Sequence, residues 1–136
     1  MVALVVDASV ALVVDASVVV DGMVSSGVRG NRCRAILQEH CFVPELLFSE
    51  VASALARWER HTGSAAEDEF SSVLAFGWTT VGHGEWGSRL WGLRHDLSLY
   101  DATYVAIAQT LDIALATTDR KFAATAQKYC DVLLPE

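Results

Sequence analysis

LSLYDATYVAIAQTLDIALATTDRKF (residues 97–122) reads as helix, strand and the start of a second helix, with an acid at two of the joints. Leu99 to Leu111 puts Tyr104, Ala108 and Leu111 on one side at helical spacing. Ile113 to Thr117 is short and apolar, as expected of a strand buried on both faces of a parallel sheet. Asp101 falls in the first turn of the helix, and Asp119 directly follows the strand. A last helix is predicted from about Lys121 to Tyr129.

The same alternation extends toward the N-terminus. Val10 to Val14 predicts a second buried strand, followed by a helix from about Ser17 to Val24. Ser25, Ser26 and Gly27 break the chain before a helix over Gly30 to His40, and Cys41 to Val43 is a short strand stopped by Pro44. Leu47, Val51, Ala54, Leu55 and Trp58 recur at helical spacing until His61, Thr62 and Gly63 end the run. Ala65 to Phe76 carries Glu67, Asp68 and Glu69 in its first turn, where the helix dipole favours negative charge. Trp78 to Val81 predicts a strand, Glu85 to His95 a helix, and Val132 to Leu134 a strand at the sheet's edge. Strands alternating with helices, with no hairpin signal, predict an α/β sandwich of three layers around a parallel sheet. Right-handed crossovers would gather the carboxyl ends of the strands on one rim, where ligands of such sheets bind.

With 136 residues, 52% of them hydrophobic, and no linker or low-complexity segment, a single domain over residues 1–136 is expected. No apolar run reaches the roughly 18 residues of a membrane span, so no membrane association is expected. The N-terminal apolar stretch lacks a preceding basic residue and is broken by Asp7 and Asp15, unlike a secretory signal. Three cysteines, Cys33, Cys41 and Cys130, form no CxxC and leave an odd one, which suits reduced thiols and a cytoplasmic location. The four histidines show no zinc-ligand spacing. A net charge of −7 weighs against non-specific nucleic-acid binding. Local basic clusters at Arg29, Arg32 and Arg34, and at Arg57 and Arg60, can override that average, although each also reads as a solvated helix face.

Four acids sit where the rim would collect them: one at the end of the first strand, then Glu50, Asp101 and Asp119. Singly, Asp101 could serve only the helix dipole, Asp119 only a helix cap, and Glu50 only a helix edge. Together, carboxylates flanked by core positions are costly to desolvate and raise one another's pKa. A bound divalent cation relieves both. Oxygen donors with no histidine or cysteine nearby indicate Mg²⁺ or Mn²⁺.

VVDASVVVD (13–21), PELLFSEVASAL (44–55) and the 97–122 segment resemble the signature segments of PIN-domain ribonucleases, and more narrowly of VapC toxins. The resemblance runs from about Leu12 onward, and its third segment is the most specific. It implies a PIN-like fold and a catalytic and metal-binding set of Asp15, Glu50, Asp101 and Asp119, with supporting hydroxyls at Ser17 and at Thr117 or Thr118. It implies one or two Mg²⁺ or Mn²⁺ ions, cleavage of RNA phosphodiester bonds, a VapB-type antitoxin partner and a homodimer. Arg29, Arg32 and Arg57 are the candidate RNA-backbone contacts, from position only.

Two rivals stand beside this reading. A phospho-receiver domain also gathers acids and magnesium at strand ends, but here the middle strand CFV has no aspartate and Lys121 lies in a helix start. A PIN-like fold kept only as a binding module would have no need of the full acid set.

The N-terminus adds a choice, because VALVVDASV occurs twice, at 2–10 and 10–18, each copy carrying one aspartate. In one straight strand Asp7 and Asp15 would lie roughly 26 Å apart, whereas paired ions sit only ~3.5–4 Å apart. Asp15 is favoured: a helix with an acid at Asp21 follows it, and its distance to the 44–55 segment fits the family pattern. Residues 1–9 are then an N-terminal duplication of 10–18.

Overall fold

The valine-rich run at residues 11–14 forms the central strand of the computed structural model, which describes residues 10–136. This strand, β1 (Ala11–Val14), pairs in parallel with β2 (His40–Val43) on one side and β4 (Ala114–Ala116) on the other. β3 (Thr79–Thr80) flanks β2 and β5 (Val132–Leu133) flanks β4, giving the all-parallel order β3-β2-β1-β4-β5. Residues 1–9, including Asp7 and the first copy of the repeat, lie outside the described residues.

Helices α1 (Ala16–Val24), α2 (Gly27–Ile36), α3 (Leu46–Thr62) and α4 (Glu67–Ala75) link the first three strands. The path then returns across the sheet through α5 (His83–Leu90), a 3-10 turn (Trp91–Leu93) and α6 (Leu99–Leu111) before β4, and α7 (Arg120–Ala126) leads to β5. Right-handed crossovers place α1–α4 on one face and α5–α7 on the other; accordingly α1 packs on α2 and α3, while α6 packs on α5, β1 and β4. The fold is the expected α/β arrangement, a parallel sheet flanked by helices.

The core explains the patterning. Leu12, Val13 and Val14 are buried, as are Leu47, Val51 and Leu55 along the amphipathic stripe of α3. In α6 every residue from Ala102 to Ala108 is buried, so this helix is apolar nearly all round. Each Val or Leu fully removed from water contributes about 1.5–3 kcal/mol. Gly63 ends α3 in the left-handed region at φ 73°, where its N–H bonds the Glu59 carbonyl.

Several boundaries differ from expectation. α2 starts at Gly27 rather than Gly30, because Gly30 packs inside the α1–α2 turn: a Cβ there would stand 2.3 Å from the Ser25 carbonyl oxygen. His40 is not helical but opens β2, its N–H donating to the Val10 carbonyl. α5 starts at His83 and ends at Leu90, short of His95, and the two glycines at 87 and 92 weaken helix continuation there. α7 ends at Ala126, and Tyr129 beyond it receives the Gln109 amide on its carbonyl. Among the described residues, Cys33, Cys41 and Cys130 are free thiols, and no helix is long and apolar enough to cross a membrane.

Candidate active site

Asp15 is the first residue after β1 and the N-cap of α1. Its Oδ1 accepts the backbone N–H of Ser17 (3.0 Å) and Val18 (3.3 Å) and the Ser17 hydroxyl (2.5 Å). Its Oδ2 accepts the Thr117 hydroxyl at 2.5 Å, across to the end of β4. Both hydroxyls also receive backbone donors: the N–H of Thr118 donates to Ser17 Oγ (2.9 Å) and that of Asp119 to Thr117 Oγ1 (3.1 Å). Ser17 and Thr117 thus tie the ends of the two central strands to one carboxylate. Thr118 takes part through its backbone N–H. Burial pushes the Asp15 carboxyl up to about 6, against the downward pull of the Ser17 and Thr117 hydrogen bonds.

Glu50 lies on the second turn of α3 and is half-buried; its Oε1 accepts the Tyr104 hydroxyl at 2.5 Å. Asp101 lies in the first turn of α6, behind the N-cap Ser98, whose Oγ accepts the Asp101 N–H at 3.1 Å. Asp119 caps α7, with Oδ1 accepting the Phe122 N–H at 3.0 Å. Asp101 and Asp119 line one open cavity of about 250 Å³ together with Ser98, Asp96 and Lys121.

The four acids share one electrostatic field. Burial raises the Glu50 carboxyl and Asp101 raises it further; burial raises Asp101 and Asp119 adds to it. The Tyr104 phenol is pushed above its ordinary range, first by burial and then by Glu50, with Asp15 and Asp101 contributing. Among the described residues none of the four acids forms an ion pair, the two salt bridges being Arg29–Asp21 and Arg120–Glu136. No three acid, histidine or cysteine side chains among the described residues are gathered tightly enough to enclose an ion, so the acids frame the rim without forming a closed shell. Their donor chemistry nonetheless fits a hard divalent cation: oxygen ligands only, none of them held in an ion pair among the described residues, although Lys121 lines the same cavity as Asp101 and Asp119.

None of the candidate RNA contacts forms an ion pair with the rim acids among the described residues. Arg29 stands 3.3 Å from Asp21 on the α1–α2 pair, while Arg32 on α2 and Arg57 on α3 are exposed and form no ion pair among the described residues. Sequence reasoning did not single out two polar groups of the site, Tyr104 and Ser98. Tyr104 reads as one more core residue of an apolar helix, yet its i, i+3 spacing from Asp101 puts both on one face of α6. Ser98 carries the ordinary sign of a helix N-cap.

Fold and rim together define a class, and the chain belongs to the PIN-domain family, whose model matches residues 12–128. Within that family it falls in the VapC branch. Ribonuclease VapC9 of Mycobacterium tuberculosis is 34% identical over 109 residues, covering 76% of this chain and 84% of VapC9. Among solved structures, PAE2754 from Pyrobaculum aerophilum matches with a TM-score of 0.63 at 23% identity, over 90% of this chain and 83% of that one. VapC20 of M. tuberculosis, a sarcin–ricin loop cleaving toxin, matches with a TM-score of 0.60 at 19% identity, over 83% of this chain and 93% of that one. These two likenesses establish the shared fold.

Proposed function

We propose that this chain is a VapC-type toxin, an endoribonuclease that hydrolyses RNA phosphodiester bonds with Mg²⁺ or Mn²⁺. The observation that supports it most is the rim of four acids, none of them in an ion pair among the described residues, in a chain of the VapC branch. Asp15 and Asp101 are the principal ligands, and Glu50 and Asp119 complete the set. When bound, a divalent ion supplies Lewis-acid polarisation of the scissile phosphate and makes water more acidic. Ser17 and Thr117 hold Asp15 with its carboxylate ordered at the end of β1. Glu50 and Asp119, each carrying an oxygen with no described partner, would orient water and accept its proton. Arg29, Arg32 and Arg57 draw the RNA backbone by charge.

The same uncompensated carboxylates suit a VapB-type antitoxin whose arginine would pair with them in a bidentate fork. The working form is a cytoplasmic homodimer. Purified protein should cleave RNA in Mg²⁺ or Mn²⁺, lose all cleavage in EDTA and regain none with Ca²⁺; full activity in EDTA would overturn the mechanism. A folded protein that binds RNA and cuts none under any of these ions would instead be a binding module. Induced expression should arrest growth and the cognate partner should restore it. Equal harmlessness of wild type and Glu50→Gln in the native host would remove the toxin reading.

A further inference from the structure

Tyr104 is the one aromatic residue in the wholly buried stretch of α6, and its hydroxyl leaves the helix to reach another element. The other hydroxyl in that stretch, on Thr103, donates to the Leu99 carbonyl of its own helix at 3.0 Å. The Tyr104 hydroxyl instead donates to Glu50 Oε1 on α3 at 2.5 Å, across 54 residues of sequence. The side chain is 1% exposed, so packing fixes the ring and the ring fixes the position of its oxygen. A buried hydroxyl without a partner is costly, and phenylalanine would fill the same volume without that risk. Glu50 receives no other side-chain hydrogen bond among the described residues, so the phenol alone sets where its half-exposed carboxylate sits. Asp101, one turn back on the same face of α6, is the acid that Glu50 feels.

We propose that Tyr104 is the positioning residue of the site: it occupies Glu50 Oε1, leaves Oε2 turned to the rim, and sets the spacing between Glu50 and Asp101. Helix α6 then contributes one acid directly and places a second through a rigid arm. The inference rests on the metal-dependent reading above and adds a specific residue to it. Carboxylates that ligate metals are held by such outer hydrogen bonds, and losing one costs roughly 10- to 100-fold in metal affinity or activity.

The test is Tyr104→Phe, which removes one oxygen and keeps the ring. Calorimetric titration of the RNA-free protein with Mn²⁺ should show affinity lowered roughly 10- to 100-fold. In turnover, kcat should fall with KM for RNA held within about twofold, since the phenol faces Glu50 and not the strand. Introduced into a Glu50→Gln chain, Tyr104→Phe should lower Mn²⁺ affinity no further, because the coupled partner is already altered. Circular dichroism and melting in EDTA establish that the variant is folded, and Tyr104→Leu, compared at equal folded fraction, should lose Mn²⁺ affinity to the same extent. A wild type that binds Mn²⁺ and a folded Tyr104→Phe that binds it equally well would overturn the positioning role and leave the metal reading intact. A wild type that takes up no Mn²⁺ would overturn that reading and this inference with it.

Discussion

Asp21 sits 3.3 Å from Arg29 and receives the Ser25 hydroxyl at 3.2 Å, while Asp15, capping the same helix, receives four hydrogen bonds and meets no cation among the described residues. Asp21 is the more open of the two, with its charge balanced within the α1–α2 pair, where Arg34 also bonds the Gly22 and Ser25 carbonyls. Asp15 is 7% exposed and its carboxyl is pushed up to about 6. Hydrogen bonds orient a charge without neutralising it. Geometry at Asp15 is complete while its charge has no ion-pair partner among the described residues, an arrangement that suits the metal ligand proposed above.

The contrast breaks most visibly at the rim. Asp101→Asn keeps the shape but removes a charge, and the loss of cleavage should exceed the roughly 100-fold ceiling typical of outer-shell changes. Metal-free stability should be unchanged or raised, because repulsion with Glu50 and Asp119 is relieved. Urea unfolding in EDTA beside a cleavage assay checks both; a variant that unfolds, or turns over normally, would make Asp101 structural.

The next effect is in pH. Asp15 in the folded chain titrates near 6 against an ordinary 3.8, so the folded state holds its proton longer than the unfolded one. Stability from this group is therefore present below about 3.8 and is lost as pH rises to about 6, opposite to a salt-bridged aspartate. Two units correspond to about 3 kcal/mol. In EDTA, wild type should lose stability relative to Asp15→Asn by about that amount between pH 4 and 7, and Mn²⁺ should reverse the loss. A pH-independent difference between the two would remove the uncompensated charge from the comparison.

Asp21→Asn sharpens it from the other side. Arg29 is 56% exposed, and an ion pair so open to solvent is worth only about 0.2–1 kcal/mol. The expected cost is a small drop in the unfolding midpoint with RNA cleavage unaltered. Smallest of all should be Arg32→Ala and Arg57→Ala, each raising KM for RNA a few-fold, roughly, and flattening its salt dependence by about one unit of slope. An unchanged salt slope would take these arginines out of the RNA path.

How far the sequence could be read follows from which forces are local. Residues 10–14, 41–43 and 113–117 are apolar runs between turn signals, and the strands appear there within a residue or two. Glu50, Asp101 and Asp119 stand at element starts, so their placement along one rim follows from a parallel sheet. The break at Ser25–Gly27 falls where the sequence puts it, but α2 begins three residues earlier than expected, because the packing of Gly30 against the Ser25 carbonyl is a tertiary contact with no periodic signature. β3 shrank to Thr79–Thr80 because it is an edge strand with one neighbour. Tyr104 was hidden for the opposite reason, since its hydrophobic ring satisfies the helix pattern while its hydroxyl answers to α3.

The pairing of β1 with β4 joins segments about a hundred residues apart, and the Asp15–Thr117 bond spans 102. During synthesis, a growing chain would display Asp15, Glu50 and Asp101 in turn, but the strand that seats Asp15 and carries Asp119 comes later. Such long-range pairing is also slow to form. Until β4 has emerged, a growing polypeptide would thus lack both the Thr117 seat of Asp15 and the acid at Asp119. Topology alone would delay completion of the acidic rim until β4 slides in beside β1.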